Sequence, residues 1–248
     1  MDPQQRLFPE VAAGGYSRFD GGVHFYGRIN ALLQPDAVVV DFGAGRGRGL
    51  IDDPVAYRRS LRDLKSRCGK LIGLDPDPAV LGNPGLDEAH VIERGKSLPL
   101  LDKSVDLIVS DYTFEHIDDA AFVAGELDRV LKPGGWICAR TPNRWGYIGI
   151  ATTLIPNSWH VRVLRKAQPD RKAIDVFPTT YPLNTRRALR RHFPAARFRH
   201  CSYGHFGEPR YFGKSLLLWR LVMLGARMTP EFMAPTWLIF MQKREVKS

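Results

Sequence analysis

Cysteine is scarce: three in 248 residues, Cys68, Cys138 and Cys201, odd in number, scattered, and with no C-x-x-C pair among them. No disulfide framework and no cysteine-built zinc or redox centre is expected, and no metal is predicted. Long apolar runs are missing as well. The most apolar window, SLLLWRLVMLGARM (Ser215 to Met228), is cut by Arg220 and Arg227, short of the roughly 18 to 20 unbroken apolar residues of a membrane-spanning helix. The opening MDPQQRLFPE carries two acids and two prolines where a secretion leader has a basic end and an apolar stretch, so a cytoplasmic location is expected. There is no internal repeat and no low-complexity tract.

The chain is long enough for a full hydrophobic core, and one domain with an elaboration is expected. Its net charge of +10 is unevenly spread. Up to Arg140 there are 17 basic and 21 acidic residues, a balance of −4; from Thr141 onward there are 19 and 5, a balance of +14. A basic half steers anionic partners toward itself, whether nucleic acid, a membrane surface, or a phosphorylated or acidic small molecule. Charge alone does not choose among them.

Helical periodicity begins in HFYGRINALL (His24 to Leu33), where Phe25, Ile29, Leu32 and Leu33 share a face and Pro35 follows. AVVVDF then reads as a β-branched strand buried on both faces, as in parallel sheets. Further strands read at KLIGLD (Lys70 to Asp75), SVDLIVSD (Ser104 to Asp111) and GWICART (Gly135 to Thr141). Helical stretches, DPVAYRRSLRDLKSRC and DDAAFVAGELDRVL, lie between them. This alternation predicts a doubly wound α/β layer with a mostly parallel sheet. Past Pro142 the pattern changes. Asn143 to Leu183 is rich in aromatics, prolines and basic residues without a period, and reads as an irregular cap. NTRRALRRHF offers Thr185 as the cap of a short basic helix, and TWLIFMQKRE reads as a closing strand.

DFGAGRGRG sits where the first strand turns into the first helix, the place where open parallel sheets bind ligands. The G-x-G-x-x-G spacing of dinucleotide folds fails here, since Arg48 or Leu50 stands where the third glycine belongs. The pattern is instead Asp41 followed by Gly43, Gly45 and Gly47. Glycines allow a tight turn and close backbone approach, and an acid at the strand end suits a cationic ligand and opposes a phosphate. A turn needed only for strand-to-helix packing is the other reading. A second acid, Asp75, ends the next strand in GLDPDP; it suits ribose hydroxyls, or else a helix cap.

With these residues in view, Gly14 to Asn143 resembles the class I S-adenosylmethionine-dependent methyltransferases, particularly the bacterial group called methyltransferase type 11. The ordered matches are VVVDFGAGRGRG, LIGLDPDP, LPLLDKSVDLIVSDYTFEHI and ELDRVLKPGGWICARTPN. The resemblance implies a Rossmann-like fold with an antiparallel closing strand, divided into a cofactor-binding half (1–142), a substrate cap with the basic helix (143–235) and the closing strand (236–244). It implies S-adenosyl-L-methionine as cofactor and S-adenosyl-L-homocysteine as product. Asp41, Gly43, Ala44, Gly45 and Gly47 would line the methionine end, Asp75 and Pro76 the ribose, and Asp111 and Tyr112 the sulfonium. GGYSRFDGGVHFYGRIN resembles the leading helix that closes over the cofactor, which adds Tyr16, Tyr26 and Arg28. One departure stands out: relatives often carry an acid before LP for the adenine amine, whereas this chain has VIERGKSLP with Arg94 near that position. Adenine is left to backbone around Gly95 and Lys96, or to Glu93.

His116 is the candidate general base, because an alcohol acceptor must lose a proton and a histidine titrates near neutrality; shaping the pocket is its other reading. Glu115 reads as a helix-start acid. Arg46 and Arg48, unexpected beside a cation, are expected to pair with Asp52 and Asp53. Arg186, Arg187, Arg190 and Arg191 fall within roughly 140° of helical arc, a phosphate grip or a solvated face. The window Leu216 to Leu224 is expected to pack on the sheet, cover a substrate pocket or form a dimer face; lying on a membrane with Lys214, Arg220 and Arg227 outward is the second reading. The resemblance implies an O-methyltransferase acting on a small-molecule, glycan or glycolipid acceptor, and the basic half suits one that is phosphorylated or acidic. A nucleic-acid methyltransferase and a non-catalytic cofactor-binding scaffold are the alternatives.

Overall fold

The structure, a computed structural model, describes residues 3–147, 180–209, 213 and 215–245. Most of the segment expected as an irregular cap, together with Lys214, lies outside them. Eight strands form one sheet: β1 (Val38–Phe42), β2 (Lys70–Asp75), β3 (Glu88–Val91), β4 (Val105–Asp111), β5 (Leu131–Pro142), β6 (Phe198–His200), β7 (Tyr203–His205) and β8 (Thr236–Lys243). Their order is β3-β2-β1-β4-β5-β8-β6, with β7 also on β8. The first five run parallel and β8 is antiparallel to β5. The closing strand expected from TWLIFMQKRE is therefore present, in the orientation the resemblance implies.

β6 and β7 are two pieces of one edge strand. Phe198 faces Lys243 and His205 faces Thr236 with no slip between them, and the Cys201 N–H donates to the Phe240 carbonyl across the gap. Both pieces fall inside the span expected as cap, so part of that span belongs to the sheet. Neither was read as a strand, because RFRHCSYGH carries the polar surface of an edge and no apolar run. β3 was missed for the same reason: all four of its residues are partly exposed.

Helices α1 (Pro3–Leu7), α2 (Gly21–Leu32), α3 (Arg48–Ile51), α4 (Ala56–Arg62), α5 (Ala120–Val130), α6 (Arg186–His192) and α7 (Leu216–Met228) complete the described elements. Local capping fixes where they begin. Asp20 accepts from the Gly22 and Val23 amides at the head of α2, Asp119 from Ala121 and Phe122 at α5, and Thr185 from Ala188 at α6. DPVAYRRSLRDLKSRC gives less helix than its length suggests: α4 stops at Arg62, and only a 3-10 turn follows at Lys65–Arg67. The sheet buries a core on each face. On one, Phe25 and Ile29 of α2 pack against Val39 and Val109; on the other, Leu127 of α5 packs with Val40, Ile108 and Trp237. The β-branched centre of β1 serves both faces, as an interior parallel strand does. Among the described residues no helix is long and apolar enough to cross a membrane.

The order of strands reverses between β1 and β4, which opens a crevice at their carboxyl ends. Asn143, just past β5, secures one wall of it. This residue is fully buried, and its Nδ2 donates to the carbonyls of Phe232 and Ala234, both at 2.7 Å, tying the exit of β5 to the approach of β8. Asn143→Ala leaves both carbonyls short of a donor and is expected to cost about 2–3 kcal/mol, measured as a lowered urea midpoint at unchanged m-value.

Candidate active site

Asp75 and Asp111 end β2 and β4 and Asp41 is the penultimate residue of β1, so three carboxylates converge where the sheet opens. Asp111 is partnered: Arg140 of β5 grips it with Nε on Oδ1 and Nη2 on Oδ2, both at 2.6 Å, and the Tyr26 hydroxyl donates to Oδ2 at 3.2 Å. Burial alone would raise the Asp111 carboxyl, but the Arg140 charge and its hydrogen bonds hold it below the usual carboxylate range. Asp41 has no such partner among the described residues. Burial, then the charges of Asp111 and Asp75, push it up to about 7. Asp75 is raised by burial, against backbone donors from Asp77 to Oδ1 and Gly45 to Oδ2. A carboxylate has about four acceptor sites, so Asp75 retains capacity for hydroxyl donors.

All three glycines of the loop have positive φ, 86° at Gly43, 47° at Gly45 and 77° at Gly47, a region costly to any other residue. Their surroundings differ. A Cβ on Gly43 would overlap Thr113 Oγ1, and one on Gly47 would overlap Asn83 Oδ1, whereas one on Gly45 would meet only Asp75 Oδ2, at 3.9 Å. Gly43 and Gly47 are therefore required by the protein's own packing, and Gly45 is the position a ligand can approach. Asn83 fastens the loop from outside: its Nδ2 donates to the Ala44 and Gly45 carbonyls at 3.2 and 3.1 Å. The sequence analysis missed it, since a lone Asn in a loop carries no motif.

A cavity of about 290 Å³ adjoins this loop. Gly43, Gly45, Asp75, Pro76, Gly95, Asp111, Tyr112 and His116 line it, and so does Arg46. Its far end is apolar, built by Ile92, Leu98, Ile117, Phe122 and Val123, none of which the sequence analysis singled out. At the adenine position Arg94 pairs with Asp118, and Glu93 pairs with Lys96 at 2.6 Å. Several expected residues do not line the cavity. Asp41, Ala44 and Gly47 are absent from its lining, and Tyr26 reaches it only through its hydrogen bond to Asp111. Tyr16 stacks on Tyr57 with centroids 5.1 Å apart, and Arg28 is held away by the Tyr203 hydroxyl at 2.8 Å and the Tyr203 ring. Arg46 pairs with Asp52 as expected, but Asp53 is taken by Arg58 and Arg62 of α4. Glu115 is no exposed helix-start acid: it is 4% exposed and accepts from Thr141 Oγ1 at 2.8 Å.

Tyr112 borders a second cavity of about 320 Å³, shared with Asp20, Arg58, Arg62, Arg140, Tyr147 and His205. Its φ of 59° is the left-handed region that a tyrosine normally avoids. Its ring lies 4.7 Å from the Arg140 guanidinium. His205, which the sequence analysis also missed, is pushed down by burial, against the Phe19 carbonyl on its Nε2, and so stays neutral near pH 7.

A family model described as a methyltransferase domain matches residues 55–139. A protein of Mycolicibacterium smegmatis named "Probable S-adenosylmethionine-dependent methyltransferase" is 35% identical over 169 residues, covering 66% of this chain and 60% of that protein. The chain carries a class I S-adenosylmethionine-dependent methyltransferase domain. It spans only about 60% of the length of that relative. Malonyl-acyl-carrier-protein O-methyltransferase 1 of Coxiella burnetii is 30% identical over 114 residues, 46% of this chain and 36% of that one. The crystal structure of a SAM dependent methyltransferase from Archaeoglobus fulgidus shares the fold, with a TM-score of 0.56 at 16% identity, covering 96% of this chain and 99% of that one.

The methyltransferase domain fits its cofactor on chemical grounds. Asp41, raised by burial and by the charges of Asp111 and Asp75, suits a nearby positive charge such as a sulfonium or an ammonium. Gly45 leaves room, Asp75 retains acceptor sites, and the apolar end suits a flat base. For this domain, Asn83→Ala is expected to weaken S-adenosylhomocysteine binding about tenfold, because two carbonyls that hold the loop lose their donor. Calorimetric titration checks it, with an unchanged Kd indicating that the glycine loop holds its shape without Asn83.

Proposed function

We propose that this chain methylates an acceptor oxygen on a small molecule, glycan or glycolipid in the bacterial cytoplasm, with S-adenosylmethionine as donor and S-adenosylhomocysteine as product. Bound in the first cavity, that cofactor would supply a methyl group activated by its sulfonium and open to in-line attack. The observation that carries the acceptor reading is Tyr112, which belongs to the walls of both cavities. An acceptor in the second cavity would meet the donor across that ring, with residues after Pro142 completing its binding half. Tyr112 and Arg140 position the reacting groups, and proximity of this kind accounts for a large part of a displacement's acceleration.

The arginines of the second cavity favour an acidic or phosphate-bearing acceptor, although Arg58 is shared between Asp20 and Asp53, and Arg62 binds Asp53. His116 is the proposed base, on the wall of the first cavity with Nε2 4.0 Å from Glu115 Oε1. A nucleic-acid acceptor is the second reading. It is favoured by Arg187, Arg190 and Arg191, which are exposed on α6 and have no ion-pair partner among the described residues. Counterion release would make such binding fall steeply with salt.

Saturating S-adenosylmethionine or S-adenosylhomocysteine is expected to raise the melting temperature, and Asp41→Ala and Asp75→Ala to abolish the rise. His116→Ala is expected to keep the rise and to lose about 10²-fold or more in turnover. Turnover is followed by transfer of labelled methyl into host extract separated into nucleic-acid, lipid, glycan and small-molecule pools. No shift with either ligand sinks the reading; a dead His205→Ala beside an active His116→Ala moves the base to the second cavity.

A further inference from the structure

Helix α7 is apolar on nearly every side, yet only one side is covered. Trp219 is 4% exposed, lies 6.3 Å from the Phe8 ring and donates Nε1–H to the Gly213 carbonyl, which anchors the helix to the body. At about 100° per residue, Leu224, Leu217, Met228, Leu221 and Leu218 span an arc of about 120° on the opposite side. They are 56%, 68%, 83%, 54% and 44% exposed. The expectation that this window packs on the sheet is thus corrected: the indole packs, and the leucines face outward.

Two further observations say what covers that stripe. The helix has no acidic residue, and Arg220 and Arg227, which sit together along one border of the stripe, have no ion-pair partner among the described residues. Beside them is a groove of about 280 Å³ with Phe8, Phe19 and Met223 within it and Arg18, Arg220 and Arg227 on it. Apolar side chains flanked by the guanidiniums of Arg220 and Arg227, in the half of the chain whose balance is +14, and by Arg18, which pairs with Glu10 at 3.7 Å, complement a layer of anionic headgroups over hydrocarbon. A second copy fits less well. Thirteen residues rise about 20 Å, so the stripe offers on the order of 200 Å², against roughly 800 Å² per partner in a stable dimer.

We propose that α7 lies in the surface of an anionic lipid bilayer, with Leu217, Leu221, Leu224 and Met228 among the acyl chains and Arg220 and Arg227 at the phosphates. Helix α7 lines neither cavity, although Phe19 borders both the groove and the second cavity, and the proposal holds whatever the acceptor is. Full-length protein is mixed at low salt with vesicles of phosphatidylcholine alone or with phosphatidylglycerol added, and then floated on a density gradient. Wild type is expected to float with the phosphatidylglycerol vesicles and to stay behind with phosphatidylcholine. Leu217→Glu/Leu221→Glu is expected to weaken the binding at least roughly tenfold, and Arg220→Gln and Arg227→Gln about fivefold each. These positions are exposed, so melting temperatures and the S-adenosylhomocysteine shift are expected to stay unchanged. Wild type that fails to float with phosphatidylglycerol, or a double-glutamate variant that floats equally well, overturns the proposal. So does a dimer in sedimentation that Leu221→Glu converts to monomer, since the stripe then belongs to a second copy.

Discussion

The grip of Arg140 on Asp111 is the contact on which the site depends. It joins the ends of β4 and β5, places a cation under Tyr112, and brings in α2 through the Tyr26 hydroxyl. Breaking a buried pair of this kind by removing one partner typically costs about 3–5 kcal/mol. Its effect on the neighbours matters more. With Arg140 engaged by Asp111, Asp41 is raised to about 7 by burial first and then by the charges of Asp111 and Asp75. Because that value lies above the unfolded one, Asp41 weakens the ligand-free fold as pH rises through 7, and a cationic ligand relieves the same repulsion. Stability has been given up at the place where a positively charged molecule is to be held.

A second layer of paired charge supports the first. Asp53, pulled down to about 2 by Arg58 and Arg62 in spite of its burial, links α4 to Asp20 at the head of α2. Arg62 then lies 5.1 Å from the Tyr26 ring. Helix α2 is thus connected, through two arginines and one tyrosine, to the carboxylate beneath Tyr112. This network explains why the second cavity is rich in guanidinium without being a bare anion trap: Arg58, Arg62 and Arg140 already have carboxylate partners.

The sheet was largely legible because its inner strands are buried on both faces and read as short apolar runs, as in Val38–Phe42 and Lys70–Asp75. The edges were not: β3, β6 and β7 expose polar side chains and leave no pattern. At the site, the loop glycines and both strand-end acids could be read from spacing, and the resemblance supplied Tyr112 and His116. Asn83, His205 and the apolar end of the cavity come from separate parts of the chain and meet only in the fold. Arg140 was also unreadable, since a single arginine in a buried strand carries no signal until its acid is found opposite. Composition identified the apolar window of α7 but not which side of it faces out, because that depends on where Trp219 anchors.

The central claim is that the carboxylates at the strand ends, Asp41 foremost, favour a cationic ligand, the proposed S-adenosylmethionine. Isothermal titration of that cofactor at pH 7, in two buffers of different ionisation enthalpy, tests it most directly, because ligand-induced ionisation of Asp41 releases protons. The account predicts net proton release that disappears in Asp41→Asn, and affinity that increases from pH 6 to pH 8. Binding without proton exchange, or binding that strengthens as pH falls, would contradict it.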